Sequence, residues 1–305
     1  MVAPMTVLRI HAPRRAWLAV CGLGLALLGG HAGAVEASGG QALLDSFAQI
    51  NARMAKSALG RPMVLESAET PNGLKGDVYA VVDHRLEELR GALEKPEQWC
   101  ELLTLHINNR RCRVGQAAGG GATLTLSVVR RYDKPVEEAF ELPFSYRVAS
   151  SAPDFLAVDM RTAEGPFGTS NYRVLLEAVR LDDERTFLHF GYGYEHNMMV
   201  KLATQAYLAT FGANKVGFTV TGRDENGQPV HITGLRGLVE RNAMRYFLTL
   251  DAYLTGLDAP PAERRERRQR LWFTSTERYP RQLKEVDLAT YLAQKRADRE
   301  RDGGR

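Results

Sequence analysis

At 305 residues, with 44% hydrophobic and 25% charged residues, the chain has an ordinary globular composition, enough for one large domain or two small ones. Its formal charge of +4 owes three arginines to the N-terminal segment, and without them 37 basic residues face 36 acidic ones. The basic pI is therefore no nucleic-acid footprint, and no nucleic-acid partner is expected.

Arg9, Arg14 and Arg15 precede an apolar run at 16–28 that ends in the small residues Ala32, Gly33 and Ala34. This is the pattern of a secretory signal peptide over 1–34, cleaved near Ala34, and the apolar run is short for a membrane span. A periplasmic or secreted protein is the expectation. Cys100 and Cys112 are the only cysteines beyond the signal. In an oxidising compartment they read as a disulfide, with two reduced buried thiols as the alternative. No His-rich or Cys-rich cluster supplies a metal site, and no cofactor is expected.

Residues 35–62 hold a leader helix, with Leu44, Phe47, Ile50, Met54 and Leu59 at helical spacing and a stop at Gly60, Arg61 and Pro62. Two β-prone runs, 63–69 and 74–82, flank Pro71, Asn72 and Gly73, a hairpin signal. The second would bury Val78, Ala80 and Val82 on one face and place Tyr79 and Val81 on the other. Asp83 is positioned to cap the helix that follows. Helices are predicted over 85–93 and 96–108, with Pro96 in a tolerated first-turn position. Trp99, Leu102, Leu103, His106 and Ile107 share a face of the second. There His106 is either a ligand-facing group or a hydrogen-bonded core residue.

From 112 to 196 the period changes to alternation. Strand-like runs at 113–116, 123–132, 140–150, 155–162, 172–181 and 186–196 are separated by Gly, Pro, Asp or Ser, which predicts an antiparallel meander. In the last run Phe190, Tyr192, Tyr194 and His196 share one face, either lining a ligand or facing solvent. A helix over 198–211 stops at Gly212, and a hairpin pairs 216–221 with 230–233.

The clearest helical pattern follows at 235–257. Leu235, Leu238, Val239, Tyr246, Leu250, Tyr253, Leu254 and Leu257 form an apolar stripe, while Arg236, Glu240, Phe247 and Asp251 fall on the other side. Arg241, Asn242 and Arg245 border the stripe, marking either a helix edge or the wall of a wet cavity. Beyond Asp258, residues 259–305 carry 13 Lys/Arg and 8 Asp/Glu. In this basic extension, 263–270 reads as a solvated helical turn or linker, 273–280 as a loop, and 282–295 as a last amphipathic helix.

The segment GDVYAVVDHRLEELRGALEKPEQWCELL, with Val78 and Val82 in the opening strand and Trp99 in the second helix, looks like the start of a START-like, or helix-grip, domain (SRPBCC superfamily). The resemblance covers 74–257 and rests on element order. It implies an α+β fold in which a curved antiparallel sheet wraps the long C-terminal helix around an apolar cavity, in a domain over 63–258. The helix and hairpin at 198–233 and the extension 259–305 depart from the pattern. The family shares no fixed catalytic set, so no catalytic residue is carried over.

The leading expectation is an exported binding protein for a hydrophobic or amphipathic, lipid-like small molecule held in a cavity between the sheet and the C-terminal helix. Tyr192, Tyr194, His106, Arg241, Asn242 and Arg245 are the candidate ligand-binding residues. Arg241 or Arg245 would pair a charged head, or else form an ion pair with a neighbouring carboxylate. The alternatives are a cyclase- or hydratase-like enzyme using the same cavity, and an envelope assembly factor. In the latter, the extension meets a partner or an anionic membrane surface.

Overall fold

The computed structural model describes residues 31–210 and 214–303. The expected signal peptide, up to residue 30, and the expected helix stop at Gly212 lie outside the described residues; Ala34 falls in the first turns of helix α1 (His31–Ala55).

The body is an α+β fold built on one antiparallel eight-stranded sheet in the order β1-β2-β8-β7-β6-β5-β4-β3. Its strands are β1 (Met63–Thr70), β2 (Gly73–Val82), β3 (Asn109–Ala117), β4 (Gly121–Val128), β5 (Phe140–Ser151), β6 (Phe155–Glu164), β7 (Thr169–Arg180) and β8 (Thr186–His196). Consecutive strands β3 to β8 form the meander. β2 then pairs with β8, Val78 opposite Phe190, which brings the first hairpin beside the last strand. Alternation divides the two faces as expected: Val78, Ala80 and Val82 are buried in the main core, while Tyr79 and Val81 pack in a second cluster under α1. There Phe47 of α1 meets Phe187 at 5.0 Å between ring centroids. Complete burial of a side chain such as Phe187 contributes about 1.5–3 kcal/mol.

The concave face holds α2 (Leu86–Leu93), α3 (Pro96–Leu103) and the long helix α5 (Gly234–Thr255). Trp99 Nε1 of α3 donates to the Leu93 carbonyl at 2.8 Å and joins the two short helices. The disulfide Cys100–Cys112 ties α3 to β3. Helix α5 lies close on the sheet because position 76 is glycine: a Cβ there would stand 2.8 Å from the Ala243 methyl. This is the helix-grip arrangement.

Several expectations are corrected. Asp83 caps nothing, since α2 starts after Arg85 without a side-chain cap. Helix α3 stops at Leu103, and tight turns through 104–109 place His106 after the helix instead of on it. Helix α4 (Met198–Ala209) is followed by a hairpin of β9 (Val220–Arg223) and β10 (Pro229–His231), later in its first strand than predicted. The far side of α5 does not face solvent. Sixteen of its 22 residues are buried, because α6 (Arg264–Glu277), the 216–219 segment and Arg61 cover it. Glu240, on that far side, is fully buried and accepts from Phe218 N at 2.6 Å, Thr219 N at 2.9 Å, Thr219 Oγ1 and Ser67 Oγ.

The arginine-rich stretch is the first half of α6, which continues through the predicted loop to Glu277. Arg268 is buried, its guanidinium 3.7 Å over the Tyr253 ring, so its stem and charge are both used in packing. Short α7 (Pro280–Leu283) and α8 (Leu288–Gly303) replace the single helix expected at 282–295. Tyr291 of α8 is fully buried in the main core, so residues 264–303 pack as part of the body. Among the described residues no helix is long and apolar enough to cross a membrane.

Candidate functional site

Between α5 and the concave sheet lies a cavity of about 150 Å³. Strand alternation supplies most of its wall: Leu126 and Val128 from β4, Leu142 and Phe144 from β5, Met160 from β6, Tyr172 and Val174 from β7, and Tyr192 from β8. Asn242 and Tyr246, four residues apart on α5, close the helix side. Leu103, His106 and Asn108 form one end, and Pro166 stands at the rim. Asn108, Val128 and Pro166 are half-buried, so the cavity reaches the surface there.

His106 is the distinctive polar group. It is buried and its ring stacks on Tyr246 at 4.7 Å. Its Nδ1 accepts a hydrogen bond from the Asn108 backbone N–H at 3.1 Å, so the proton of the neutral ring sits on Nε2. That Nε2 is buried without a hydrogen-bond partner. Burial, reinforced by the charges of Arg245 and Lys295, pushes the imidazole pKa well below its usual value, so the ring stays neutral.

The tyrosines are equally uncharged. Burial raises Tyr192 well above the ordinary phenol value, with a hydrogen bond to Asn242 acting in the opposite sense. Burial raises Tyr246 to about 12. Tyr172 is raised for the same reason, and its hydroxyl meets Thr169 Oγ1 at 3.0 Å. No Asp, Glu, Lys or Arg is among the described residues lining the cavity. The site is a neutral box of aliphatic and aromatic side chains with hydroxyl, amide and imidazole donors.

The structure thus brings His106, Tyr192 and Asn242 to one cavity. Tyr194 stands behind its wall, stacked on Tyr172 at 4.9 Å. Arg241 and Arg245 turn away. Arg241 Nη1 donates to the Val216 carbonyl at 3.4 Å, and Arg245 Nη2 donates to Glu285 Oε1 at 2.5 Å, on the opposite side of α5 from the sheet. Of the readings open for Arg245, the ion pair with a neighbouring carboxylate is the one observed. Tyr172 and Tyr246 were not singled out from the sequence. The first shares the inward parity of Val174 and Leu176, a signal that reveals it; the second lies in the apolar stripe of α5, where nothing local sets its hydroxyl apart.

A further group acts from outside the cavity. Helix α8 holds the backbone that carries His106: Tyr291 Oη donates to Leu105 O at 2.8 Å, Lys295 Nζ to His106 O at 2.7 Å and Asn109 O at 2.9 Å, and Gln294 Nε2 to Ile107 O at 2.9 Å. Arg110 and Asp298 pair at 2.7 Å beside them. Burial lowers the Lys295 pKa to about 7. Among the described residues no group of three His, Cys, Asp or Glu side chains is placed to hold a metal.

No protein-family model matches the chain, and no curated protein matches it in sequence. Among solved structures it is similar to human StAR-related lipid transfer protein 5, at 11% identity and a TM-score of 0.31 over 59% of this chain and 94% of that one. It is also similar to norcoclaurine synthase from Thalictrum flavum, at 13% identity and a TM-score of 0.33 over 50% and 82%. A third is CalU16 from Micromonospora echinospora, at 11% identity and a TM-score of 0.30 over 70% and 96%. The fold assignment stands on the topology described above.

Proposed function

We propose that this chain is an exported binding protein for a small, neutral, mostly apolar molecule that carries one hydrogen-bond acceptor. The observation that carries the reading is that His106, which lines this neutral and mostly apolar cavity, holds a buried Nε2–H without a partner. A buried donor left without a partner costs about 1–3 kcal/mol, and an acceptor on the ligand removes that cost. The neutral lining disfavours a charged head, since no opposite charge would offset its desolvation.

Volume narrows the ligand further. A cavity of about 150 Å³ is the size that takes a single benzene-like ring. Drug-sized sites run to several hundred Å³, so a ring with a short carbonyl or ether substituent fits better than a whole phospholipid. Export is supported by the arginine-then-apolar N-terminal pattern together with the Cys100–Cys112 disulfide.

Extraction of the purified protein into organic solvent, followed by mass spectrometry, tests the reading. A co-purifying neutral aromatic, or saturable binding in a panel of neutral single-ring compounds, is expected. Binding confined to fatty acids or phospholipids would overturn the ring-sized assignment.

A further inference from the structure

Away from the end covered by α1, the convex face of the sheet carries a row of basic side chains. In register, Lys75 of β2 pairs with Gly193 of β8, Gly193 with Arg173 of β7, and Arg173 with Arg161 of β6. Adjacent strands lie about 4.8 Å apart, so the row from Lys75 to Arg161 spans roughly 14 Å. Arg161 and Arg173 are like charges directly opposed, an arrangement that by itself destabilises a sheet.

Asp159 compensates for it. Its carboxylate accepts from Arg161 Nε and Nη2, the closest contact at 2.8 Å, and from Arg173 Nε and Nη2 at 3.1 and 3.2 Å, with Arg147 at 3.8 Å. The Asp159 side chain is only 4% exposed, whereas those of Arg147, Arg161 and Arg173 are 71%, 59% and 45% exposed. One buried carboxylate therefore orients two outward guanidiniums, with that of Arg147 nearby, and leaves the three in charge excess. It engages the Nε/Nη2 edges of Arg161 and Arg173, so the Nη1 ends point elsewhere. Between Arg173 and Lys75, which also meets Asp77 at 3.1 Å, Gly193 contributes no side chain, and the Lys75 stem leans over it, its Cγ 3.6 Å from where a Cβ at Gly193 would stand.

We propose that this face binds a phosphate oxyanion, held between Lys75 and Arg173 and bonded also by Arg161. Planar guanidinium forks match phosphate oxygens, and a carboxylate that fixes their orientation lowers the entropy lost on binding. A phospholipid headgroup and a free phosphate compound present the same oxyanion. The site is independent of the cavity, so either reading can fail without the other.

Two probes separate the sources: inorganic pyrophosphate in a calorimetric titration, and vesicles of mixed phosphatidylglycerol and phosphatidylcholine against pure phosphatidylcholine. Saturable pyrophosphate binding alone assigns a free phosphate compound, and binding to the anionic vesicles alone assigns a headgroup. In whichever arm binds, the R161Q/R173Q double variant is expected to be weakened about tenfold or more. Asp159→Asn is expected to weaken binding too, although it makes the face more positive, because the guanidiniums lose their orientation. Should these variants lose the native circular dichroism, Lys75→Gln, which leaves Asp159 and its arginines intact, is expected to weaken binding about threefold. No binding in either arm, binding unchanged in the folded variants, or tighter binding by Asp159→Asn would overturn the proposal.

Discussion

Lys295 Nζ donates to the carbonyl of His106 at 2.7 Å, across 189 positions of sequence. The last helix thereby holds the turn whose side chain lines the cavity. Lys295→Met leaves the carbonyls of His106 and Asn109 without this donor and is expected to cost about 1–3 kcal/mol in urea unfolding. Amide exchange should locate the effect: faster at Asn108, whose N–H binds His106 Nδ1, and unchanged in β7 and β8. Uniform acceleration across the sheet would contradict a local clamp.

Glu240 pins the 218–219 segment and β1 to α5 through four accepted hydrogen bonds. Glu240→Ala strands several buried donors, so a loss on the order of 3 kcal/mol is expected from chemical denaturation. A loss inside the ~0.5 kcal/mol range of surface substitutions would contradict the assignment.

His189 lies between Asp77, at 2.7 Å from Nε2, and Glu177, at 2.8 Å from Nδ1. Burial lowers the His189 pKa, but hydrogen bonds to the two carboxylates outweigh it and the net shift is upward. Asp77 is raised by burial and lowered more by the His189 hydrogen bond and charge, for a net downward shift. The His189 contribution is complete below about pH 6.5 and is lost as pH rises through the raised folded value. That of Asp77 is present above its ordinary value of 3.8 and is lost as pH falls through the lowered one. The stability difference between wild type and His189→Gln should therefore peak between about pH 4 and 6.5, at roughly 3 kcal/mol, and shrink at higher pH. Denaturation midpoints across pH check this; a difference that grows above pH 7 would contradict it.

The disulfide closes a loop with a sequence separation of 12. Replacing Cys100 and Cys112 with Ser is expected to lower unfolding free energy by about 3 kcal/mol, through the wider unfolded ensemble. Wild-type protein in a reducing agent should fall to the same midpoint. Insensitivity to reduction would mean that α3 and β3 are held by packing alone.

Local pattern made the sheet legible. Alternation in β2 assigned Val78, Ala80 and Val82 to one face and Tyr79 and Val81 to the other because one strand has only two faces. In β8 it grouped Tyr192 with Phe190, Tyr194 and His196 on one face, and whether that face meets a ligand or solvent depends on α5, which lies far along the chain. Helix α5 was legible as a helix but not in its surroundings. Glu240 looks like a surface charge until the 218–219 amides converge on it, and Arg245 looks like a ligand anchor until Glu285 arrives from 40 residues on. Arginine-rich α6 misled for a related reason: Arg268 is accommodated by the Tyr253 ring and Glu101, partners remote in sequence. The grip of α8 on 105–109 has no local signature, since it consists of side chains meeting distant backbone carbonyls.

The most direct test of the cavity reading is a pair of probes that differ in one acceptor. Acetophenone and ethylbenzene present one ring and similar shape, and only the first offers a carbonyl to His106 Nε2–H. Calorimetric titration is expected to show acetophenone bound about tenfold more tightly, the effect of one buried hydrogen bond, with benzoate weaker than either in the neutral cavity. In His106→Phe the preference for acetophenone should vanish while the fold is retained. Equal binding of the two probes by wild type, or a preference that survives His106→Phe, would contradict the account.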